Sequence, residues 1–180
     1  MKMAKKSEII YALGYSTRTI SDFMKILNAH SIKLVADIRK IPKSRYNPQF
    51  NETSLKRSLH RHDIKYCHLP GLGGLRKTVK DSMNLGWRNA SFRGYADYMQ
   101  TPAFKKELDQ LIVLGKKQTT VIMCAEGNPF RCHRLLVADA LLIRGIKVLQ
   151  ISSIKSAKEH KLTSFAKING MQISYPAYKD

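Results

Sequence analysis

Short apolar runs alternate along the chain with segments in which apolar residues recur every three or four positions. The apolar runs predict five buried strands, at residues 8–16, 32–42, 64–70, 119–124 and 146–152. The segments between them carry the period of helices. Because the strand-like runs are apolar on both faces and alternate with helices, the pattern predicts an α/β fold. In this fold a mostly parallel central sheet of about five strands is flanked by helices in three layers.

Residues that favour helix starts locate the helices between these strands. Thr19 and Thr101 are candidate caps, and the proline after Thr101 suits the first helical position. Asn51 or Thr53 is the candidate cap of the helix after the second strand. Residues 93–100 predict a further short helix.

Three parts of the chain fall outside this alternation. Residues 71–92 show no period, and an irregular segment of that length is often functional. Residues 166–175 place Asn169-Gly170 between two strand-like runs, which predicts a C-terminal hairpin that we expect at the edge of the sheet. Residues 1–7 predict a basic, flexible N-terminal tail. Since no repeat or Gly/Ser/Pro linker interrupts the rest, the sequence predicts a single domain over residues 1–180.

The charge of the chain adds a class of partner to this picture. Its 32 Lys and Arg exceed its 13 Asp and Glu, which gives a formal net charge of +19. Such an excess favours a polyanion, nucleic acid or nucleotide, as partner. The positive residues are spread from Lys2 to Lys179, however, and dispersed charge also fits a basic proteome or a solubility effect.

The cysteines and the apolar runs predict the cellular location of the protein. Cys67, Cys124 and Cys132 are an odd number of cysteines without the spacing of a disulfide framework. Reduced thiols and a cytoplasmic location follow as predictions. No apolar run reaches the length of a membrane span and no signal-peptide pattern is present, so we expect no membrane partner. The sequence identifies no cofactor, no metal and no oligomeric state.

Polar side chains collect at the predicted strand ends, which is where open parallel sheets bind ligands. The residues that close the first four strands are Ser16, Asp37, Arg39, His68, Cys124 and Glu126. Asp37 and Arg39 share a strand face, so a ligand site and a simple ion pair are both open. Ser16 could instead cap a helix, and His68 could be an ordinary hydrogen-bonded histidine.

The stretch "CAEGNPFRCHR", residues 124–134, predicts an anion site. Asn128 is a suitable cap and the proline after it a suitable first residue for a helix that ends at Gly145. Arg131 and Arg134 then share a helix face beside the free N–H groups and the positive end of the helix. Phosphate is the most common biological anion at such a place. Glu126 is the alternative internal partner of the arginines.

Thiol catalysis is a weaker interpretation of the same stretch. A cysteine at a strand end with an arginine at the next helix resembles the phosphatase and rhodanese pattern, in which five residues separate the two. Six residues separate Cys124 from Arg131, and Glu126 would place a negative charge inside an anion cradle. Cys132 falls in the first helical turn, where its pKa could fall, or it is a small core residue. A zinc site of Cys124, Cys132 and His133 lacks any paired C-x-x-C.

Motifs spread over the chain resemble one family. "LGYSTRTISDF", "ADIRKIPKSRYNPQFN", "YCHLPGLGGLR", "WRNASFRGYADYM", "MCAEGNPFRCHRLLVADAL" and "EHKLTSFAKINGMQISYP" are together similar to the domain of unknown function 488. The resemblance implies a compact bacterial or archaeal α/β domain and no particular reaction. It carries over the candidate positions Ser16, Asp37, Arg39, His68, Leu69, Pro70, Gly73, Gly74, Cys124, Glu126, Arg131, Cys132, His133 and Arg134.

Three functions remain open from the sequence. The first is an enzyme that acts on a nucleotide or nucleic acid by general acid/base chemistry. Its catalytic candidates are Asp37, His68, Glu126 and His133, and its ligand-binding candidates are Ser16, Arg39, Arg131, Arg134, Cys124 and Cys132. The second is a nucleic-acid-binding protein without turnover, which could use the aromatic residues between Trp87 and Tyr98. The third is a small-ligand sensor with the same pocket.

Overall fold

The computed structural model describes residues 8–178. Their central sheet has six strands in the order β3-β2-β4-β1-β5-β6. The strands are β1 (Ile9–Gly14), β2 (Leu34–Asp37), β3 (Lys65–His68), β4 (Thr120–Cys124), β5 (Lys147–Ser153) and β6 (Ser156–Glu159). The first five are parallel, as predicted, and β6 adds an antiparallel edge to β5. The sequence analysis missed β6 because its residues, Ser-Ala-Lys-Glu, form no apolar run.

Helices cover both faces of the sheet, so the three-layer α/β prediction is confirmed. They are α1 (Ile20–Ala29), α2 (Glu52–His60), α3 (Ala90–Tyr98), α4 (Pro102–Lys117) and α5 (Arg134–Leu142). The first two pack with one face of the sheet and the other three with the opposite face. Strand β4 is apolar throughout because both of its faces are buried. Val121 and Met123 join one core, Ile122 and Cys124 join the other, and all four side chains are buried.

Of the three helix caps predicted before β4, two make the expected side-chain hydrogen bond. The Thr19 hydroxyl accepts the Asp22 amide, and the Thr101 hydroxyl accepts the Phe104 amide. Asn51 stands at the cap position of α2, but its side-chain oxygen accepts the Ser44 amide instead. Asn51 therefore anchors the preceding loop and leaves the helix end without a side-chain cap.

The segment after β4 differs from its prediction. We expected one helix from Pro129, but Pro129–Arg131 form a single 3-10 turn and α5 begins only at Arg134. Asn128 caps the short turn, where its side chain accepts the Phe130 amide. Cys132 between them is extended, with φ −126° and ψ 139°, and its sulfur accepts the Arg134 amide at 3.4 Å. The break turns the Cys132 thiol into the core and lets it cap α5.

The C-terminal hairpin is present as β7 (Lys167–Asn169) and β8 (Gln172–Ser174), with Gly170 at φ +60° in its turn. Its expected place at the sheet edge is wrong, because it forms a separate two-stranded sheet and β6 occupies the edge. The hairpin packs by α5 through Ile173 and Tyr175, and the Tyr175 hydroxyl donates to Asp139 at 2.8 Å.

The irregular segment before α3 is fixed to that helix. It opens with a 3-10 turn at Pro70–Leu72, and Asp97 later accepts hydrogen bonds from Ser82 and Asn84. Trp87 and Phe92, at the end of the irregular segment, pack against the core that contains Tyr95 of α3. In the part of the chain that the structure describes, no helix is both long and apolar enough to cross a membrane. The predicted tail, residues 1–7, lies outside the described residues.

Candidate active site

The carboxyl ends of the central strands bring several predicted residues to one edge of the sheet. Register pairs Gly14 with Cys124, and Asp37 with both His68 and Met123. The loop after Cys124 folds back over the end of β1, where the Ser16 amide donates to Ala125. Gly14 permits this fold, because a Cβ there would lie 1.8 Å from the Glu126 carbonyl oxygen. The chain after Cys124 is thereby held over the end of the neighbouring strand β1.

A buried arginine lies against the Cys124 thiol. Arg134 is 1% exposed, and its Nη1 lies 2.7 Å from Cys124 Sγ and 2.9 Å from the Glu126 carbonyl oxygen. Among residues 8–178 no carboxylate forms an ion pair with Arg134, and its Nε has no hydrogen-bond partner. A buried guanidinium is always charged and is costly without an anion. The arrangement therefore favours the thiolate form of Cys124 as the counter-ion.

Cys132 completes a pair of thiols. Its sulfur lies 2.7 Å from Cys124 Sγ, and both side chains are buried as free cysteines. The hydrogen bond from Cys132 lowers the pKa of Cys124 to about 7, and the charge of Arg134 acts in the same direction against burial. The same bond, together with burial, raises the pKa of Cys132 far above its ordinary value. The sequence analysis left open whether Cys132 has a lowered pKa or is a small core residue, and the structure buries Cys132 and lowers the pKa of Cys124 instead.

Both thiols line a cavity of about 350 Å³. Tyr15, Tyr95 and His133 contribute to its walls, and the cations Lys40, Lys43 and Arg131 also line it. Arg131 is exposed whereas Arg134 is buried, so the prediction that they share a helix face is wrong. The reason is the extended Cys132 between them. We call this cavity the thiol pocket.

Asp37 and Arg39 form a buried ion pair. Arg39 Nη2 donates to Asp37 Oδ2 at 2.6 Å and Arg39 Nε to Oδ1 at 2.9 Å, while the Tyr66 hydroxyl donates to Oδ2 at 2.8 Å. Burial opposes the charge of Arg39, but its hydrogen bond and attraction to Asp37 outweigh burial and raise its pKa. Burial and the negative Asp37 also raise the pKa of Tyr66. The ion-pair interpretation of the sequence accounts for Asp37, which has no free oxygen aimed at a ligand.

The two candidate histidines each contact a backbone carbonyl. His68 Nε2 lies 2.8 Å from the Arg39 oxygen, and His133 Nε2 lies 3.2 Å from the Ile38 oxygen. A carbonyl can only accept, so Nε2 of His133 carries the proton and Nδ1 is left as an acceptor, 3.8 Å from Cys132 Sγ. Burial lowers the pKa of His133 to about 4, so its ring is neutral at neutral pH.

Within residues 8–178 no side-chain hydrogen bond joins Glu126 or Ser16 to the thiols, although the Glu126 carbonyl oxygen lies 3.9 Å from Cys124 Sγ. Glu126 is exposed, accepts the Asn128 amide at 2.8 Å and lines the thiol pocket. Ser16 lines a different, larger cavity of about 1130 Å³, which Glu126 also borders. The sequence analysis did not identify Tyr66, or the pocket cations Lys40 and Lys43, although both lysines follow the same strand end as Arg39. Within residues 8–178, no group of three or more His, Cys, Asp or Glu is placed to hold a metal ion.

The sequence matches the model of one known protein family. The model of the domain of unknown function DUF488 matches residues 19–141. The chain belongs to the DUF488 family. The matched segment runs from the cap of α1 into the last turn of α5 and holds every candidate site residue except Ser16, so the resemblance noted in the sequence is confirmed. No curated protein and no solved structure matches the chain.

Proposed function

We propose that this DUF488 protein is an enzyme that binds a small phosphate-bearing ligand in the thiol pocket and attacks it with the Cys124 thiolate. The observation that carries the proposal is the buried Arg134, with Nη1 2.7 Å from Cys124 Sγ and no carboxylate partner in the described chain. Groups with strongly perturbed pKa values beside a specific charge, in a cavity, mark functional sites. The proposal keeps the phosphate-bearing ligand predicted from the sequence. It replaces general acid/base chemistry by Asp37, His68, Glu126 and His133 with attack by Cys124, which the sequence analysis listed among the ligand-binding candidates, and it retains Glu126 as the base.

The thiol pocket suits a small anion. Its volume of about 350 Å³ lies in the lower part of the range of small-molecule sites. Lys40, Lys43 and Arg131 line it, whereas Glu126 is the one carboxylate among its described lining residues. The excess of positive charge favours phosphate over a neutral or cationic ligand.

The chemistry is a two-step displacement. The Cys124 sulfur forms a bond to phosphorus while the bond from phosphorus to the leaving oxygen breaks, and that oxygen takes a proton from water. Water then attacks the phosphocysteine, Glu126 accepts its proton, and the S–P bond breaks to restore the thiolate. Arg134 supports the sulfur as an anion before the first step and after the second.

Hydrolysis of p-nitrophenyl phosphate tests the proposal directly. We expect the wild-type protein to release p-nitrophenol and Cys124→Ser to lose that activity. Cys67→Ser is the matched control, since Cys67 lies on β3 and burial raises the pKa of its thiol. Glu126→Gln should slow turnover and spare phosphate binding, because the amide oxygen can still accept the Asn128 N–H. An activity that survives Cys124→Ser would overturn the proposal.

The second candidate is nucleic-acid binding without turnover. The net charge of +19 and the exposed Lys40, Lys43 and Arg131 favour it. The aromatic residues of α3 favour it less, because Tyr95 and Tyr98 donate their hydroxyl protons to the Leu72 and Gly71 carbonyls. A protein that binds oligonucleotides in a salt-dependent way, but never releases p-nitrophenol, would fit this candidate.

A further inference from the structure

The proposed phosphate chemistry uses one thiol, and the structure holds two in contact. A nucleophilic displacement at phosphorus uses Cys132 only as the hydrogen-bond donor that favours the Cys124 thiolate, and no bond forms to the Cys132 sulfur, which lies 2.7 Å from that of Cys124. We propose that the pair also reduces hydroperoxides, with Cys124 as the thiol that is oxidised and Cys132 as the thiol that closes a disulfide with it. The proposal rests on the reactive Cys124 thiolate of the proposed function and is independent of its phosphate step.

The backbone around the pair permits a disulfide. A disulfide joins its sulfurs at 2.03–2.05 Å, so the two atoms need to approach each other by about 0.7 Å. Cys132 is an extended residue between a 3-10 turn and α5, and its backbone amide and carbonyl are hydrogen-bonded to Pro129 and Leu135. Rotation of the two cysteine side chains about their Cα–Cβ bonds can bring the sulfurs together by that amount while these backbone bonds stay in place. Cys124 stays in place as the last residue of β4.

The surroundings of Cys124 suit the first oxidation step. The thiolate attacks the terminal oxygen of the hydroperoxide, so an S–O bond forms and the O–O bond breaks. The departing alkoxide or hydroxide takes a proton from water, and Cys124 becomes a sulfenic acid. Arg134 lies 2.7 Å from the sulfur and stabilises its negative charge. Both thiols line the thiol pocket, which is large enough for hydrogen peroxide.

His133 supports the second step. Formation of the sulfenic acid removes the Cys124 thiolate that holds the Cys132 proton, and Arg134 Nη1, 3.6 Å from Cys132 Sγ, then favours the Cys132 thiolate. The proton passes to His133 Nδ1, an acceptor 3.8 Å from Cys132 Sγ, as the attack on Cys124 begins. The resulting thiolate attacks the Cys124 sulfur, the S–S bond forms, and the S–O bond breaks with loss of hydroxide, which regains that proton as water. Two thiols and one hydroperoxide thus give a disulfide, an alcohol and water. A dithiol reductant from outside restores the pair.

Mass spectrometry with peptide mapping tests this inference on the full chain. With stoichiometric hydrogen peroxide, we expect the wild-type protein to lose two hydrogens, with peptides holding Cys124 and Cys132 linked. Dithiothreitol should reverse the change and sustain repeated peroxide consumption. With two equivalents of hydrogen peroxide, Cys132→Ser should instead gain two oxygens at Cys124 as a sulfinic acid, since no second thiol intercepts the sulfenic acid before the second equivalent oxidises it. Cys67→Ser should behave as wild type.

The outcomes separate this inference from the proposed function. A Cys124–Cys132 disulfide in a protein that does not hydrolyse p-nitrophenyl phosphate supports the peroxide activity and overturns the phosphate step. Hydrolysis without any linked peptide overturns the peroxide activity alone. If Cys132→Ser is oxidised to the same product as the wild-type protein, the role given to Cys132 is wrong.

Discussion

Two buried arginines lie near one edge of the sheet, and their partners differ. Arg39 follows β2 and is 6% exposed, and Arg134 opens α5 and is 1% exposed. Arg39 faces the carboxylate of Asp37, which also receives the Tyr66 hydroxyl. Arg134 faces two thiols and the carbonyls of the loop over β1. The first arginine meets a full negative charge, and the second meets one only if Cys124 ionises.

This difference is our reason for assigning a structural role to the Arg39 centre and, under the proposed function, a reactive role to the Arg134 centre. A carboxylate is ionised without help at neutral pH, so Asp37 and Arg39 neutralise each other and hold β2 against Tyr66 and the Phe50 carbonyl. An ordinary thiol is mostly neutral at that pH. The positive charge of Arg134 favours the ionised form of the neighbouring thiol. Both arginines are buried, but Arg39 serves stability, whereas under the proposed function Arg134 serves reactivity.

Removal of Arg39 should give the largest effect on stability. Arg39→Met leaves the carboxylate of Asp37 buried with only the Tyr66 hydroxyl and one amide, and it should cost about 3–5 kcal/mol of unfolding free energy. Urea denaturation followed by circular dichroism measures the change. The double variant Asp37→Leu/Arg39→Met should be less destabilised than Arg39→Met alone, because it leaves no unpaired charge. Equal destabilisation of the single and double variants would contradict the assignment of a structural ion pair.

Removal of Arg134 should instead change the titration of Cys124. The pKa of Cys124 is lowered to about 7, so its thiolate predominates above that pH, and alkylation by iodoacetamide in a Cys67→Ser background should rise through a midpoint near 7. Arg134→Met should move that midpoint toward the ordinary thiol value of about 8.5. Only part of the shift should disappear, because the hydrogen bond from Cys132 is its largest cause.

The charge of Arg134 can be separated from its packing by a conservative change. Arg134→Lys keeps a cation beside Cys124, so its alkylation midpoint should lie closer to wild type than that of Arg134→Met. A midpoint that is the same in the wild-type protein and both variants would show that Arg134 does not act on the thiol. Arg39→Met, if enough of it folds, should leave the midpoint unchanged.

The two centres also differ in how far the sequence predicts them. Asp37 and Arg39 are two apart on a strand, so their common face, and the ion pair as one alternative, follow from periodicity. Their third member, Tyr66, lies on β3, and the sequence does not state which strands are neighbours. The contact of Arg134 with Cys124 depends on the extended Cys132, whereas local propensities favour a continuous helix from Pro129. The sequence analysis therefore counted the residues between Cys124 and Arg131. In the structure, the arginine that contacts the Cys124 thiol is Arg134.

Substitution of Tyr66 should give the smallest loss of stability and should affect only the Asp37–Arg39 centre. Tyr66→Phe removes the hydroxyl that donates to Asp37 Oδ2 at 2.8 Å and keeps the ring. Asp37 retains its bonds to Arg39, so the loss should be that of one hydrogen bond to a charged group, about 1.5 kcal/mol in urea denaturation. The alkylation midpoint of Cys124 should not move, because the thiol pair has its own arginine. A shifted midpoint would show that the two centres are coupled across β2 and β4, and that the division into a structural and a reactive arginine is too simple.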